Sequence, residues 1–274
     1  MTESESRKSN ASSANGGDSV VELRRVSKRF GTLEVLRDVS VKFRRGETAV
    51  IIGASGAGKS VILKHIVSLL KPDTGEVHCR GERIDTMTER ELVAVRTHFG
   101  FLFQMGALFD SLTVAQNVAF PLVEHTKRTA ADIAKTVSEK LRMVGLDGLQ
   151  EKKPAQLSGG QRKRVGLARA IALDPEIILY DEPTTGLDPI RSDIINELII
   201  KLQRELNVTS IVVTHDMASV RKIGDRVVML HEGKFIFDGS PEEMETSDVK
   251  IVRQFVEGRA EDEQLAGIRM KGKP

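Results

Sequence analysis

The chain has 274 residues, enough for one large α/β domain with a substantial core or for two small ones. Its 41 Lys and Arg nearly balance 39 Asp and Glu, which excludes a global field drawing it to nucleic acid or to an anionic membrane surface. Aromatics are 4% with no Trp, too few for base-stacking platforms, and a lone cysteine, Cys79, excludes an intrachain disulfide and fits a reducing compartment.

Residues 1–19 are polar and rich in Ser, Asn and Gly, and are expected to be a disordered tail without the apolar run of a signal peptide. Strands are predicted at Val20–Leu23 and Val39–Phe43, then at Thr48–Ile52, a short apolar run ending at Gly53 that reads as fully buried. Gly58 and Lys59 open a helix predicted to run through Leu70 and to stop before Pro72. From about 105 to 170 strand signals fade, and helices are predicted at Thr129–Val144, ended by Gly145, and at Gln161–Leu173. Strands return at Ile177–Tyr180 and Ser210–Val213, separated by a helix over Ile190–Leu206. Val227–Leu230 and Phe235–Phe237 flank a turn, and Val249–Val256 is a terminal helix before a charged tail at 258–274. Strands alternating with helices predict a mostly parallel sheet covered on both faces. No run approaches the roughly 18 apolar residues of a membrane span, so any membrane role is expected to come through a partner. The six histidines have no Cys partner at ligand spacing, which argues against zinc.

Gly53, Ala54, Ser55, Gly56, Ala57, Gly58, Lys59 and Ser60, with Val61 behind them, match G-x-x-x-x-G-K-[ST] in full. The motif sits after a buried strand and at a helix start, where backbone N–H groups and the helix N-terminus suit phosphate oxygens. The pattern assigns Lys59 to the β- and γ-phosphates of ATP and the Ser60 hydroxyl to Mg²⁺. A glycine-rich turn with a chance Lys-Ser is the alternative; the flanking strand and helix disfavour it. A dinucleotide site is disfavoured because the glycine spacing does not fit G-x-G-x-x-G.

The apolar strand at Ile177–Tyr180 runs into Asp181 and Glu182, delivering two carboxylates at the sheet edge where ligands bind in open α/β folds. Asp181 is expected to hold Mg²⁺, directly or through water, and Glu182 to orient and deprotonate the attacking water. A surface turn with two acids is the alternative; the phosphate loop, which needs a metal-holding partner, weighs against it.

Leu157, Ser158, Gly159, Gly160 and Gln161 stand before a basic helix, with Ser158 lying 23 residues ahead of Asp181. This segment resembles the signature motif of the ABC ATPases, and a Ser-Gly-Gly linker, the alternative, would be followed by unstructured polar sequence. The resemblance covers about residues 20–257. It implies a P-loop NTPase fold with an N-terminal antiparallel β subdomain and an inserted α-helical subdomain at about 105–170. It also implies that the signature faces the γ-phosphate held by a second copy of the chain, so that two copies close on ATP. Gln104 matches the glutamine joining metal and attacking water to the helical subdomain. Asp188 matches the loop crossing the dimer interface, and His215 the switch histidine at the γ-phosphate. Phe30 matches the aromatic stacking on adenine, where the family more often has Tyr; a core phenylalanine is the alternative.

The segments Met105–Phe109, Asn117–Leu122, Glu124–Thr126 and Ile251–Gly258 resemble the Mla/Mkl subfamily, ATPases of MCE-associated lipid transporters. That likeness implies a peripheral subunit under a permease, on the cytoplasmic face of the inner membrane. It brings an MCE-domain protein, and in some members a STAS-domain protein, as further partners, and no nucleic acid. Gly106–Phe109 then reads as part of a groove for a permease helix, with simple packing as the alternative. Three other functions compete with this one: an ABC importer of an amino acid or ion, a soluble ABC ATPase acting on DNA or ribosomes, and a phosphate-loop kinase. The 98 residues between Lys59 and Leu157 hold no long coiled coil, and a kinase would lack the signature and His215.

Overall fold

The computed structural model describes residues 19–259, so the expected tails fall almost wholly outside the described residues. β1 (Ser19–Phe30) and β2 (Leu33–Arg44) form an antiparallel hairpin in which Ser19 already pairs with Arg44. Both strands are far longer than the apolar runs predicted inside them. Bulges at Arg25 (φ 49°) and Asp38 (φ 55°) break the period-two alternation that pattern reading relies on. Ser40 Oγ accepts from Arg25 N at 2.8 Å and Ser27 Oγ from Asp38 N at 2.9 Å, replacing the lost ladder bonds.

β3 (Thr48–Ile52) is buried at every position, as predicted. α1 (Lys59–Ile66) ends four residues before Leu70. Ser68 turns left-handed at φ 50°, and the N–H groups of Leu69 and Leu70 both return to Lys64 O. Arg96 donates to Val67 O at 3.1 Å and Ser68 O at 2.9 Å, a distant cap that no local pattern announces. β4 (Thr74–Cys79), β5 (Glu82–Arg83) and α2 (Glu89–Arg96) were not read from the sequence. The first two complete a four-stranded antiparallel sheet of order β2-β1-β4-β5. Cys79 is buried there, and burial pushes its thiol up to about 12, which makes it inert at neutral pH.

After β6 (Phe99–Leu102) come the inserted helices α3 (Val114–His125), α4 (Ala130–Met143) and α5 (Gly159–Ala170). The sequence reading missed α3 because Pro121 stands in its middle. A capping box of Thr113 and Gln116 starts the helix, and fully buried Asn117 ties it to the preceding loop. Asn117 Nδ2 donates to Phe109 O at 3.1 Å and to Thr113 O at 2.9 Å, and its Oδ1 accepts from Phe109 N at 2.8 Å. α5 begins two residues earlier than predicted because Ser158 caps it, and it ends at Ala170 rather than Leu173.

The remaining elements are β7 (Ile177–Asp181), α6 (Pro189–Leu206), β8 (Thr209–Val213), α7 (Met217–Ile223), β9 (Arg226–His231), β10 (Lys234–Gly239), α8 (Pro241–Glu245) and α9 (Lys250–Glu257). The six-stranded core sheet runs β10-β9-β3-β8-β7-β6, parallel throughout except for β10. Its strands feed two cores in alternation. Ile51, Leu179 and Val213 pack with α1 and the antiparallel sheet, while Ile52, Tyr180 and Val212 pack with the helices of the other face. A sheet buried on both sides brings the ends of β3, β7 and β8 to one edge, and the chemistry-bearing residues emerge there.

Candidate nucleotide site

The loop after β3 is built for backbone approach. Gly53 adopts φ 149°, and a Cβ on it would lie 2.2 Å from Leu230 O, so no other residue fits. Gly58 adopts φ 102° under Val35, whose Cγ1 would sit 2.8 Å from an added Cβ. The hairpin of β1 and β2 thus closes one side of the loop, and the N–H groups of Lys59 and Ser60 that open α1 have no intrahelical acceptor. Lys59, 7% exposed, donates to Gly53 O at 2.8 Å and Ala54 O at 3.1 Å. Its Nζ lies 4.0 Å from Glu182 Oε1. Burial pulls the Lys59 pKa down, while the Glu182 and Asp181 carboxylates hold it up.

Ser60 Oγ donates to Asp181 Oδ1 at 2.9 Å, bringing a hydroxyl and a carboxylate together at the mouth of the loop. Burial raises the Asp181 pKa against the pull of Ser60, a position that a cation would relieve. Among the described residues no three His, Cys, Asp or Glu side chains converge on a metal position. Two oxygen ligands with the rest left to phosphate and water suit Mg²⁺ and not a cage metal. The donor set therefore fits Mg²⁺ at Ser60 and Asp181.

Glu182 follows directly in a strained conformation, φ 51°, rare for a residue with a long side chain. Its N–H donates to Val213 O at 2.9 Å, and Thr185 Oγ1 donates to its Oε2 at 2.9 Å. His215 Nδ1 lies 3.0 Å from its Oε1. The carboxylate is thus 9% exposed and aimed by three neighbours, Lys59, Thr185 and His215.

These groups line a cavity of about 690 Å³, within the range of small-molecule sites. Phe30, Gly53, Ala54, Ser55, Gly56, Gly58, Lys59, Ser60, Val61, Gln104, Glu182 and His215 all face it. Asp181 reaches it through Ser60, and Ala57 packs instead into the core behind the loop. Phe30 is 47% exposed, which fits an open ring platform and not a core phenylalanine. Two lining residues escaped the sequence reading. Val35 lies on the strand beyond the β2 bulge, and Phe255 was read only as part of a terminal helix.

The signature segment is not brought to this cavity within one chain. Ser158 Oγ accepts from Gln161 N at 3.3 Å, and Gln161 Oε1 accepts from Ser158 N at 2.9 Å, a reciprocal cap. The tip of α5 therefore offers the N–H groups of Gly159 and Gly160, which have no intrahelical partner. Leu157 is buried, and Gly160 packs on Arg191 of α6. Asp188 caps α6, its Oδ1 accepting from Arg191 N at 2.9 Å.

The ABC transporter family profile matches residues 36–185. The chain is 44% identical over 239 residues to the probable ribonucleotide transport ATP-binding protein mkl of Mycobacterium leprae, covering 87% of this chain and 69% of that one. It is 40% identical over 242 residues to the intermembrane phospholipid transport system ATP-binding protein MlaF of Escherichia coli, covering 88% of this chain and 90% of that one. The dimeric post-hydrolysis structure of the ATP-binding cassette MJ0796, bound to ADP and Pi, superposes with a TM-score of 0.75 at 36% identity, over 81% of this chain and 98% of that one.

Proposed function

The chain belongs to the ABC transporter family, as an ATP-binding subunit of the Mla/Mkl branch, and on that premise we propose that it drives phospholipid movement through a membrane permease. It is an ATPase of phosphate-loop fold. In the proposed cycle the backbone of Gly53–Gly58 and the Lys59 ammonium hold the triphosphate, and Phe30 stacks on adenine. Ser60, Asp181 and Gln104 would hold Mg²⁺, which would neutralise charge on the phosphates. Glu182 accepts the proton of the attacking water, and His215 steadies its carboxylate. The Ser158–Gln161 tip of a second copy, with Asp188 at its interface, completes the site.

The permease reading is supported by apolar side chains left in solvent around the Gln104 loop. Met105 is 74% exposed, and Phe109, Phe120 and Val123 are exposed too, the rings of Phe109 and Phe120 lying 4.8 Å apart. No helix among the described residues is long and apolar enough to cross a membrane, which fits a subunit attached through its permease at the cytoplasmic face of the inner membrane. MCE-domain and STAS-domain proteins are the further partners proposed.

The observation that carries the lipid cargo is the likeness to MlaF over 90% of that protein's length. A second reading, nucleotide cargo, is favoured by the name of the mycobacterial relatives. An amino acid or ion remains the third. The test is co-purification with the permease, reconstitution into vesicles, and ATP-dependent transfer of a fluorescent phospholipid to acceptor vesicles. Transfer that needs ATP and stops in E182Q is expected. ATP turnover without phospholipid transfer, accompanied by uptake of a labelled nucleotide, amino acid or ion, sinks the lipid cargo and leaves the ATPase assignment standing.

A further inference from the structure

Lys163 is the second residue past the signature glutamine, on the helix that the signature caps. Its side chain does not face solvent or phosphate; it is 4% exposed and points back under the catalytic edge of the sheet. There its ammonium donates to three backbone carbonyls: Glu182 O at 3.1 Å, Pro183 O at 2.7 Å and Thr185 O at 2.7 Å. All three N–H donors of the ammonium are thereby used, and all three acceptors belong to the short turn that carries Glu182. That turn is the strained one, with Glu182 at φ 51°. A left-handed glutamate persists only where its surroundings over-determine the backbone.

We infer that Lys163 is a positioning residue for hydrolysis, fixing the 182–185 turn so that the Glu182 carboxylate meets the attacking water only while the signature helix is docked against it. The inference rests on Glu182 serving as the hydrolytic carboxylate. The tether spans two subdomains of one chain, because Lys163 rides on α5 and the turn follows β7. It therefore links the position of the signature tip, which serves the partner's nucleotide, to the carboxylate that serves the chain's own. The three carbonyls that Lys163 holds make no bond to the phosphate loop, which the link meets only where the Glu182 carboxylate lies 4.0 Å from Lys59, so it acts on the chemical step and not on holding the nucleotide. The charged groups around this tether are the Glu182 carboxylate, and beyond it Lys59, from the start of α1, and His215, from the loop after β8, both of which approach that carboxylate.

The test uses the full chain purified with its permease, comparing K163M, K163R and K163Q with the wild type and with E182Q. K163M is expected to lower kcat by about tenfold or more while the KM for ATP stays within about twofold, the pattern of a lost transition-state interaction. K163R, which keeps a charged donor on the turn, is expected to recover at least about threefold of that loss. If K163M does not fold, as read by its melting temperature, K163Q carries the same comparison. Wild-type kcat in K163M or K163Q overturns the inference. So does a loss confined to KM, or a K163R no better than K163M. E182Q separates the two levels: an active E182Q removes the reading of Glu182 itself, whereas an inactive E182Q beside a fully active K163M removes only the tether.

Discussion

Glu182, proposed as the residue that activates water, sits 9% exposed beside the phosphate loop. Lys59 at 4.0 Å, Thr185 and His215 hold its carboxylate in place, so replacing it should remove chemistry while leaving the cradle. E182Q is expected to lose about a hundredfold or more in turnover with ATP affinity retained, measured by steady-state hydrolysis and nucleotide titration. K59A should do the opposite: loss of charge-assisted hydrogen bonds of about 1.5–3 kcal/mol weakens ATP binding by about tenfold or more. Lys163 adds a pH signature. Burial pulls its pKa down to about 8, against the Glu182 carboxylate. Between about 8 and the ordinary lysine range the unfolded chain holds this proton and the folded chain does not, so this group makes folding more favourable as pH rises. Turnover should fall over the same window, because the neutral amine has one donor fewer for three carbonyls. Melting temperature and kcat of the wild type, each referred to K163M, are thus expected to move in opposite directions above pH 8. Parallel movement would sink the tether's titration. At this scale the sequence was informative where a motif fixes backbone and chemistry together, as at Gly53–Ser60. It was silent on Lys163, Val35 and Phe255, whose roles depend on what packs against them in space.

α5 behaves as a spine studded with cations that end on carbonyls and not on acids. Lys163 holds the catalytic turn, Arg164 donates to Val144 O and Gly145 O, and Arg169 donates to Ala107 O at 2.8 Å and Gly106 O at 2.9 Å. The Arg169 guanidinium also lies over the Phe109 ring at 5.9 Å, and Phe109 meets Phe120 with centroids 4.8 Å apart. One helix thus fixes both the turn behind Glu182 and the exposed apolar surface after Gln104. R169A should cost about 1.5–3 kcal/mol of stability by chemical denaturation, from two lost bonds to a charged group. It should also weaken co-purification with the permease while ATP affinity stays unchanged; full permease recovery would detach that surface from docking. Helices with clean periodicity, such as α4 with its Thr129 cap, were legible in advance. α3 was not, because Pro121 reads as a breaker, and what offsets it is Asn117, whose bonds to the 109–113 loop have no local signature. The same limit hid the early end of α1, which Arg96 caps from a distant helix.

In the whole molecule the cradle and the signature tip occupy different places on one chain, and the tip does not line the chain's own cavity. Gly159 and Gly160 nevertheless present free N–H groups at a helix N-terminus, an anion site with no anion of its own chain to serve. A second copy related by a two-fold axis resolves both facts at once, because a two-fold interface places each tip against the other copy's cavity. The matched cassette MJ0796 is itself dimeric with ADP and Pi bound. Such an interface is stabilised by nucleotide held on both sides, so its strength depends on the sites staying occupied, and it weakens once hydrolysis products leave. E182Q with Mg²⁺ and ATP is therefore expected to run as a dimer in light scattering, and to return to monomer when the nucleotide is removed. Wild type under turnover should be mostly monomeric, and K59A should stay monomeric throughout. Gly160→Asp sets a side chain against Arg191 of α6 and a negative charge beside the tip, opposing an incoming phosphate, and it should abolish the ATP-dependent dimer without lowering the affinity of one chain for ATP. If G160D dimerises as readily as its parent E182Q chain, the tip does not meet the partner's nucleotide. The site must then be completed in some other way.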